Sequence, residues 1–153
     1  MNIVKELERQ YFEIENDYAS KEFQARARGY ANKENYWRRK RELNTHAYFL
    51  FVFTRLEDHI RRHSTQLIHK KRVEISHWKT KAIWENTNPD NIHLMKRVGL
   101  LTQKGHAVYN RISQYYDSRN DIAHGNMIAG ITIAINMIDV FSDIKAYLRI
   151  LRS

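Results

Sequence analysis

Apolar side chains recur at three- and four-residue steps along nearly the whole chain. No segment sustains the strict alternation of a half-buried strand. Val4, Leu7, Tyr11, Ile14 and Tyr18 form one such stripe and predict a first helix over residues 3–28. Gly29-Tyr30-Ala31-Asn32 interrupts it, with Asn32 as the expected cap of the next helix. That second, long helix is predicted over residues 33–71. Its core stripe reads Leu43, Ala47, Leu50, Phe53 or Thr54, Glu57, Ile60 and Leu67, and Phe49, Phe51 and Phe53 read as packing residues of the bundle centre or of an interface. Glu57 is the one acid on that stripe, and Arg61, one turn later, is its expected partner.

Shorter helices come next. One is predicted over residues 76–85, burying Trp78, Ala82 and Ile83. Asn86-Thr87-Asn88-Pro89 reads as a turn, with Asn88 as cap and Pro89 at the first helical position. The next helix holds Ile92, Met95 and Val98. Thr102 is the expected cap of another that uses Val108, Ile112, Tyr115 and Tyr116. Gly125 and Gly130 bracket a connection, and a last helix is expected over residues 131–151, with Ile131, Ile135, Ile138, Phe141, Ile144, Leu148 and Leu151 inward. The pattern predicts one all-α domain, 1–153: an antiparallel helical bundle built on two long N-terminal helices and a long C-terminal one.

Composition narrows the setting. The chain of 153 residues has no cysteine, hence neither a disulfide framework nor a thiolate zinc site, which fits a reducing compartment. The longest aromatic and apolar run, residues 47–53, falls well short of the ~20 residues of a membrane span. The start lacks the apolar core of a signal peptide. The expected location is the cytoplasm, with no membrane partner. Formal charge is +9, and it is unevenly spread. Residues 1–20 carry two basic and five acidic side chains, whereas residues 21–81 carry sixteen basic and six acidic ones. Such a concentration of positive charge suits a polyanion, RNA first among them, or simply a solvated basic face.

The chemistry concentrates in Ser118-Arg119-Asn120-Asp121-Ile122-Ala123-His124-Gly125. Cleaving a phosphodiester without metal needs a fixed positive charge for the pentavalent phosphorane and a group that moves protons near neutral pH. Arginine is a planar donor fork that stays protonated, and imidazole is the side chain suited to proton transfer. On a straight helix, residues five apart stand about 140° apart in azimuth, so Arg119 and His124 would not share a face. A kink, a helix end or a second subunit must complete such a site. Asn120 and Asp121 suit a turn or capping position there. The other reading is a cationic cap at a helix C-terminus.

The pattern Arg119-Asn120-x-x-x-His124, placed between the penultimate and last helices of an all-α chain, resembles the signature of the HEPN superfamily, the "higher eukaryotes and prokaryotes nucleotide-binding" domains. The specific match covers eight residues, and the whole chain agrees in size and helical content. The resemblance implies a metal-independent endoribonuclease, without cofactor, acting as a homodimer whose two arginine–histidine pairs form one composite site. It implies a toxin or antiviral-defence effector that leaves 2′,3′-cyclic phosphate and 5′-hydroxyl ends, held in check by an antitoxin or regulatory protein. Arg119 would neutralise the scissile phosphate, His124 would act as general base or acid, and Asn120 would orient them. Asp121 and Glu57 are candidate supporting residues. Some members paired with an antitoxin carry a tyrosine two residues after the histidine; that position is Asn126 here.

Other motifs carry two readings each. Trp37-Arg38-Arg39-Lys40-Arg41 interleaves an aromatic with cations, as an RNA-binding helix does, or it is a solvated face with Trp37 in the core. Arg61 and Arg62 are further candidate RNA contacts. His59 and His63 stand one turn apart, but zinc needs two more ligands and the flanking arginines repel a cation, so they read as a solvated pair. The alternative to an enzyme is a non-catalytic helical adaptor that binds RNA or protein through its basic face. A nucleotide-binding regulator lacks the glycine-rich phosphate loop it would need.

Overall fold

A computed structural model describes residues 3–125 and 135–153. Within them the chain forms six α-helices and no strand, as the helical periodicity predicts. They are α1 (Ile3–Ala27), α2 (Ala31–Glu74), α3 (Trp78–Glu85), α4 (Leu94–Leu101), α5 (Ala107–Ala123) and α6 (Met137–Ile150), with a 3-10 turn at Pro89–Asn91. No helix among these residues is long and apolar enough to cross a membrane.

α2 has 44 residues, about 66 Å at 1.5 Å per residue, and every other helix packs on it. Its buried side chains are Phe49, Val52, Phe53, Leu56, Ile60 and Ile68. The expected stripe through Leu43, Ala47, Leu50 and Thr54 lies about one position round the helix; Leu43 is 45% exposed and Thr54 is exposed. α2 is apolar on two adjacent faces in its middle. The stripe that wins is the one interrupted by His46 and Ser64, both buried. Ser64 is tolerated because its hydroxyl donates to the Arg61 carbonyl (3.0 Å) and accepts from Arg97 (3.1 Å). Of the three phenylalanines, Phe49 and Phe53 stack in the core, whereas Phe51 is 56% exposed.

Facing this stripe, α5 contributes Val108, Ile112, Tyr115 and Ile122, and α6 contributes Met137, Val140, Phe141, Ile144 and Tyr147. Val4 and Tyr11 of α1 and Val98 of α4 complete one core. α6 begins at Met137, capped by the Asn136 side chain, which accepts from the Ile138 amide at 3.1 Å. It is thus shorter than the predicted C-terminal helix within the described residues. Gly130 and Ile131 lie outside those residues. Ile138 points outward and is 65% exposed. α5 is capped by His106, whose Nδ1 accepts from the Val108 amide; Thr102 instead closes α4. Asn88 caps the 3-10 turn as predicted, with Pro89 at its start. Trp78 and Ile83, expected inside, are largely exposed, because two-turn α3 leans mainly on the end of α2 among the described residues.

The α1–α2 connection is a Schellman turn. Gly29 sits at φ +68°, the Tyr30 amide reaches back to the Ala25 carbonyl (2.9 Å), and the Gly29 amide reaches the Arg26 carbonyl (3.0 Å). Tyr30, not Asn32, occupies the N-cap of α2, without a side-chain cap. Beyond the core, this hairpin is held by charge. Glu22, 5% exposed, accepts from Arg41 (2.8 Å), Arg26 (3.3 Å) and Arg38 (3.4 Å). Arg41 also reaches Glu15. The hydrogen bond from Arg41 does most to hold the Glu22 carboxyl below its ordinary range.

Two measurements check this packing. Phe53→Ala is expected to cost about 3–5 kcal/mol in urea unfolding, and Leu43→Ala less than about 1 kcal/mol; comparable losses would restore the predicted stripe. A carboxyl with a lowered folded pKa lends stability above its unfolded pKa, near ~4.3, that is lost as pH falls through the folded value. Glu22→Gln should therefore lower stability at pH 7 by about 1–3 kcal/mol and flatten the acid limb of the stability profile.

Candidate functional site

The apolar stripe of α5 runs Val108, Ile112, Tyr115 and Ile122, in steps of four, three and seven. Arg119 falls in the seven-residue gap, four after Tyr115 and three before Ile122, so the helix aims a guanidinium at α2 where an apolar residue would complete the stripe. Glu57 meets it there, at the edge of the buried face of α2, with its Oε1 3.7 Å from Arg119 Nε. The Arg119 side chain is 37% exposed and that of Glu57 18%. Arg119 Nη1 also donates to the Asn120 side-chain oxygen at 3.2 Å. A single long contact to the carboxylate is not a bidentate clamp. Guanidinium N–H groups are left to receive another anion.

Glu57 is thus paired with Arg119, and not with the expected Arg61. Arg61 lies on the same exposed flank of α2, across a cleft of about 270 Å³ that is also lined by Asp90, Ile92, Leu94 and Arg97. Burial raises the Glu57 carboxyl above its ordinary range, against the opposing pull of Arg119 and Arg61. Arg97 is a member of this cluster that the sequence did not single out. It is 5% exposed, and it spends its donors on neutral oxygens: the Ile92 carbonyl (2.9 Å), the Pro89 carbonyl, and the hydroxyls of Ser64 (3.1 Å) and Thr65 (3.3 Å). It pins the segment before α4 onto α2 while holding a positive charge beside the cleft; burial lowers its pKa. Its sequence signal is faint: an arginine directly beside the core residue Val98.

α5 ends within the motif. His124 is the C-cap, its amide bonded to the Asn120 carbonyl (2.9 Å), and Gly125 follows at φ +71° with its amide on the Ile122 carbonyl (3.2 Å). The motif therefore straddles a helix end, one of the three arrangements its spacing left open, but that end does not bring the two side chains together. His124 and Asp121 are exposed on the outer side, and the His124 ring makes no hydrogen bond among the described residues. Within one subunit, Arg119 faces inward to Glu57 and His124 faces solvent.

The remaining candidates lie apart. Arg38 and Arg41 stand toward the far end of α2, Arg41 about 24 Å from Glu57 along the helix. Both are bound into the Glu22 network, and Arg39 pairs with Glu42 at 3.1 Å. Lys40 lies over the Tyr36 ring. Trp37 is half-buried against Tyr18. Arg62 is exposed beside His59 and His63. His59 Nε2 bonds the Leu151 carbonyl (2.7 Å) and His63 Nδ1 contacts the Ser153 hydroxyl (3.3 Å). Expected as a solvated pair, these two rings are instead partly buried and fasten the C-terminus to α2, and burial holds both below the ordinary imidazole pKa. No family model matches the chain, and neither a curated protein nor a solved structure does.

A raised carboxyl pKa works against the fold at neutral pH: the native state binds the Glu57 proton more tightly than the unfolded chain, so stability is lost as pH rises from ~4.3 through the folded value. Glu57→Gln should unfold at an equal or higher urea concentration than the parent at pH 7, with the gap closing toward pH 4. A loss of about 1 kcal/mol or more at pH 7 would mean that the Arg119 pair outweighs desolvation.

Proposed function

We propose that this chain is a HEPN-type, metal-independent endoribonuclease, working in the cytoplasm as a homodimer. The observation that carries the reading is the split presentation of the motif. Arg119 is anchored by Glu57 with donors to spare, while His124 is offered to solvent at the same helix end. One subunit thus presents a phosphate clamp and a proton carrier in opposite directions. Two such ends brought together across a two-fold axis supply an arginine and a histidine on each side of one phosphate.

In that arrangement His124 of one protomer takes the proton from the ribose 2′-hydroxyl as the 2′-oxygen attacks phosphorus. Arg119 neutralises the charge that builds on the non-bridging oxygens. The P–O5′ bond breaks, and the protonated His124 of the partner subunit delivers its proton to the leaving 5′-oxygen. The products are a 2′,3′-cyclic phosphate and a 5′-hydroxyl. Asn120, which accepts a hydrogen bond from Arg119, sets the tilt of the guanidinium, and Glu57 keeps it in place until a phosphate competes for it. An unrestrained activity of this kind is harmful to its own cell. The reading therefore includes a cognate antitoxin or a regulatory protein, and a role as a toxin or antiviral-defence effector.

The test is cleavage of total RNA by the purified protein in EDTA. The parent should give 2′,3′-cyclic phosphate ends, and Arg119→Ala and His124→Ala should each lower the rate by about 100-fold or more. Cleavage that survives both substitutions, or RNA binding with no cleavage by the parent, favours a helical RNA- or protein-binding adaptor instead.

A further inference from the structure

The outer end of the α1–α2 hairpin sets two unneutralised cations at its turn beside exposed aromatic rings. Glu22 and Glu34 absorb Arg26, Arg38 and Arg41. Arg28 and Lys33, at the turn itself, form no ion pair among the described residues; of the nearby lysines, Lys21 pairs with Asp17 at 2.6 Å. Arg28, Lys33 and Lys21 line a cleft of about 120 Å³ with Tyr30 and Trp37, and no carboxylate lines it. The aromatic groups here are interleaved with the cations. Lys33 lies over the Tyr30 ring at 5.2 Å, Lys21 over Trp37 at 4.9 Å and Lys40 over Tyr36 at 5.5 Å. Tyr30 and Tyr36 are each about half exposed (51% and 54%), and Phe23 is 69% exposed. A half-exposed ring bordered by cations, of which Arg28 and Lys33 carry no ion pair among the described residues, is what a single strand needs: a surface for a base, and a donor for the phosphate beside it.

We propose that the hairpin tip is a second binding site, for single-stranded RNA, in which Arg28 and Lys33 take phosphates and Tyr30 stacks a base. The site rests on RNA being the substrate but not on where it is cut. Lys33 stands about 36 Å from Glu57 along α2. The tip therefore holds a strand well away from the scissile bond, and it would favour long single-stranded substrates over short ones. In the basic run Arg38–Arg41, by contrast, Arg38 and Arg41 are committed to holding α1, and Arg39 and Lys40 to partners on α2 itself.

The test is fluorescence anisotropy with a labelled 2′-O-methyl oligouridylate, which cannot undergo 2′-hydroxyl attack, read across a salt series with the full chain. Arg28→Glu/Lys33→Glu is expected to weaken binding at least about tenfold and to flatten the log–log salt slope by about 1.4, at ~0.7 per phosphate contact. Lys79→Glu/Lys96→Glu, with the same change in net charge on α3 and α4, should stay within about twofold. Tyr30→Ala should weaken binding at least about fivefold and leave the slope unchanged. Equal losses in both double variants would reduce the effect to bulk charge and overturn the site. Tip-dependent binding to phosphatidylserine vesicles without binding to the oligonucleotide would also overturn it. Cleavage of a dinucleotide by the Arg28→Glu/Lys33→Glu variant separates the two claims. Arg119-dependent cleavage with no tip-dependent binding removes the tip and keeps the ribonuclease. Tip-dependent binding with no cleavage by the parent supports the tip and removes the ribonuclease.

Discussion

Burial of one stripe of α2 is the interaction on which the rest of the molecule depends. Phe49, Phe53, Leu56 and Ile60 recur at steps of four, three and four and receive α1, α4, α5 and α6 on a single face. A helix of about 66 Å is longer than a small bundle can cover, so its ends and its neighbouring face stay outside the core. Both candidate regions arise from that mismatch. Glu57 and Arg61 lie on the flank beside the stripe, where α5 brings Arg119 to the edge of the core. Among the described residues the overhanging N-terminal end pairs with α1, and charge and aromatic edges replace apolar packing there.

Helix existence was legible from periodicity because the chain has few breakers and one repeated spacing. Which face of α2 turns inward was not, since two apolar faces lie one residue apart and the winning one contains His46 and Ser64. Ser64 is acceptable inside because it bonds back to the Arg61 carbonyl and because Arg97 arrives from α4, and the second of these is not visible from α2 alone. The caps divide on chemistry. Asn88 and the turn glycines follow ordinary rules, whereas His106 caps α5 with a ring nitrogen, a role that a search for hydroxyls and amides passes over.

The candidate site was legible in its parts but not in its pairing. Arg119 and His124 stand out by type and spacing, and Gly125 correctly signals the helix end between their two directions. Glu57 is conspicuous as an acid on an apolar stripe. Its partner came from 62 residues further along, beyond the reach of a local i,i+4 rule. Basic charge misleads in the same way: Arg38 and Arg41 look like a nucleic-acid helix until the acids of α1 are placed against them. Counting cations measures the charge, and only the ion-pair pattern tells which cations are already spent.

The central claim is that two Arg119–His124 segments meet across a dimer axis. The chain has no cysteine, so a single Ala123→Cys, exposed beside His124, gives a unique handle. Treated with a short bifunctional maleimide at low protein concentration, this variant should form one covalent dimer in high yield, while a cysteine at exposed Lys96 on α4 should not. A variant that stays monomeric, or crosslinks no better through Ala123→Cys than through Lys96→Cys, would contradict the shared site.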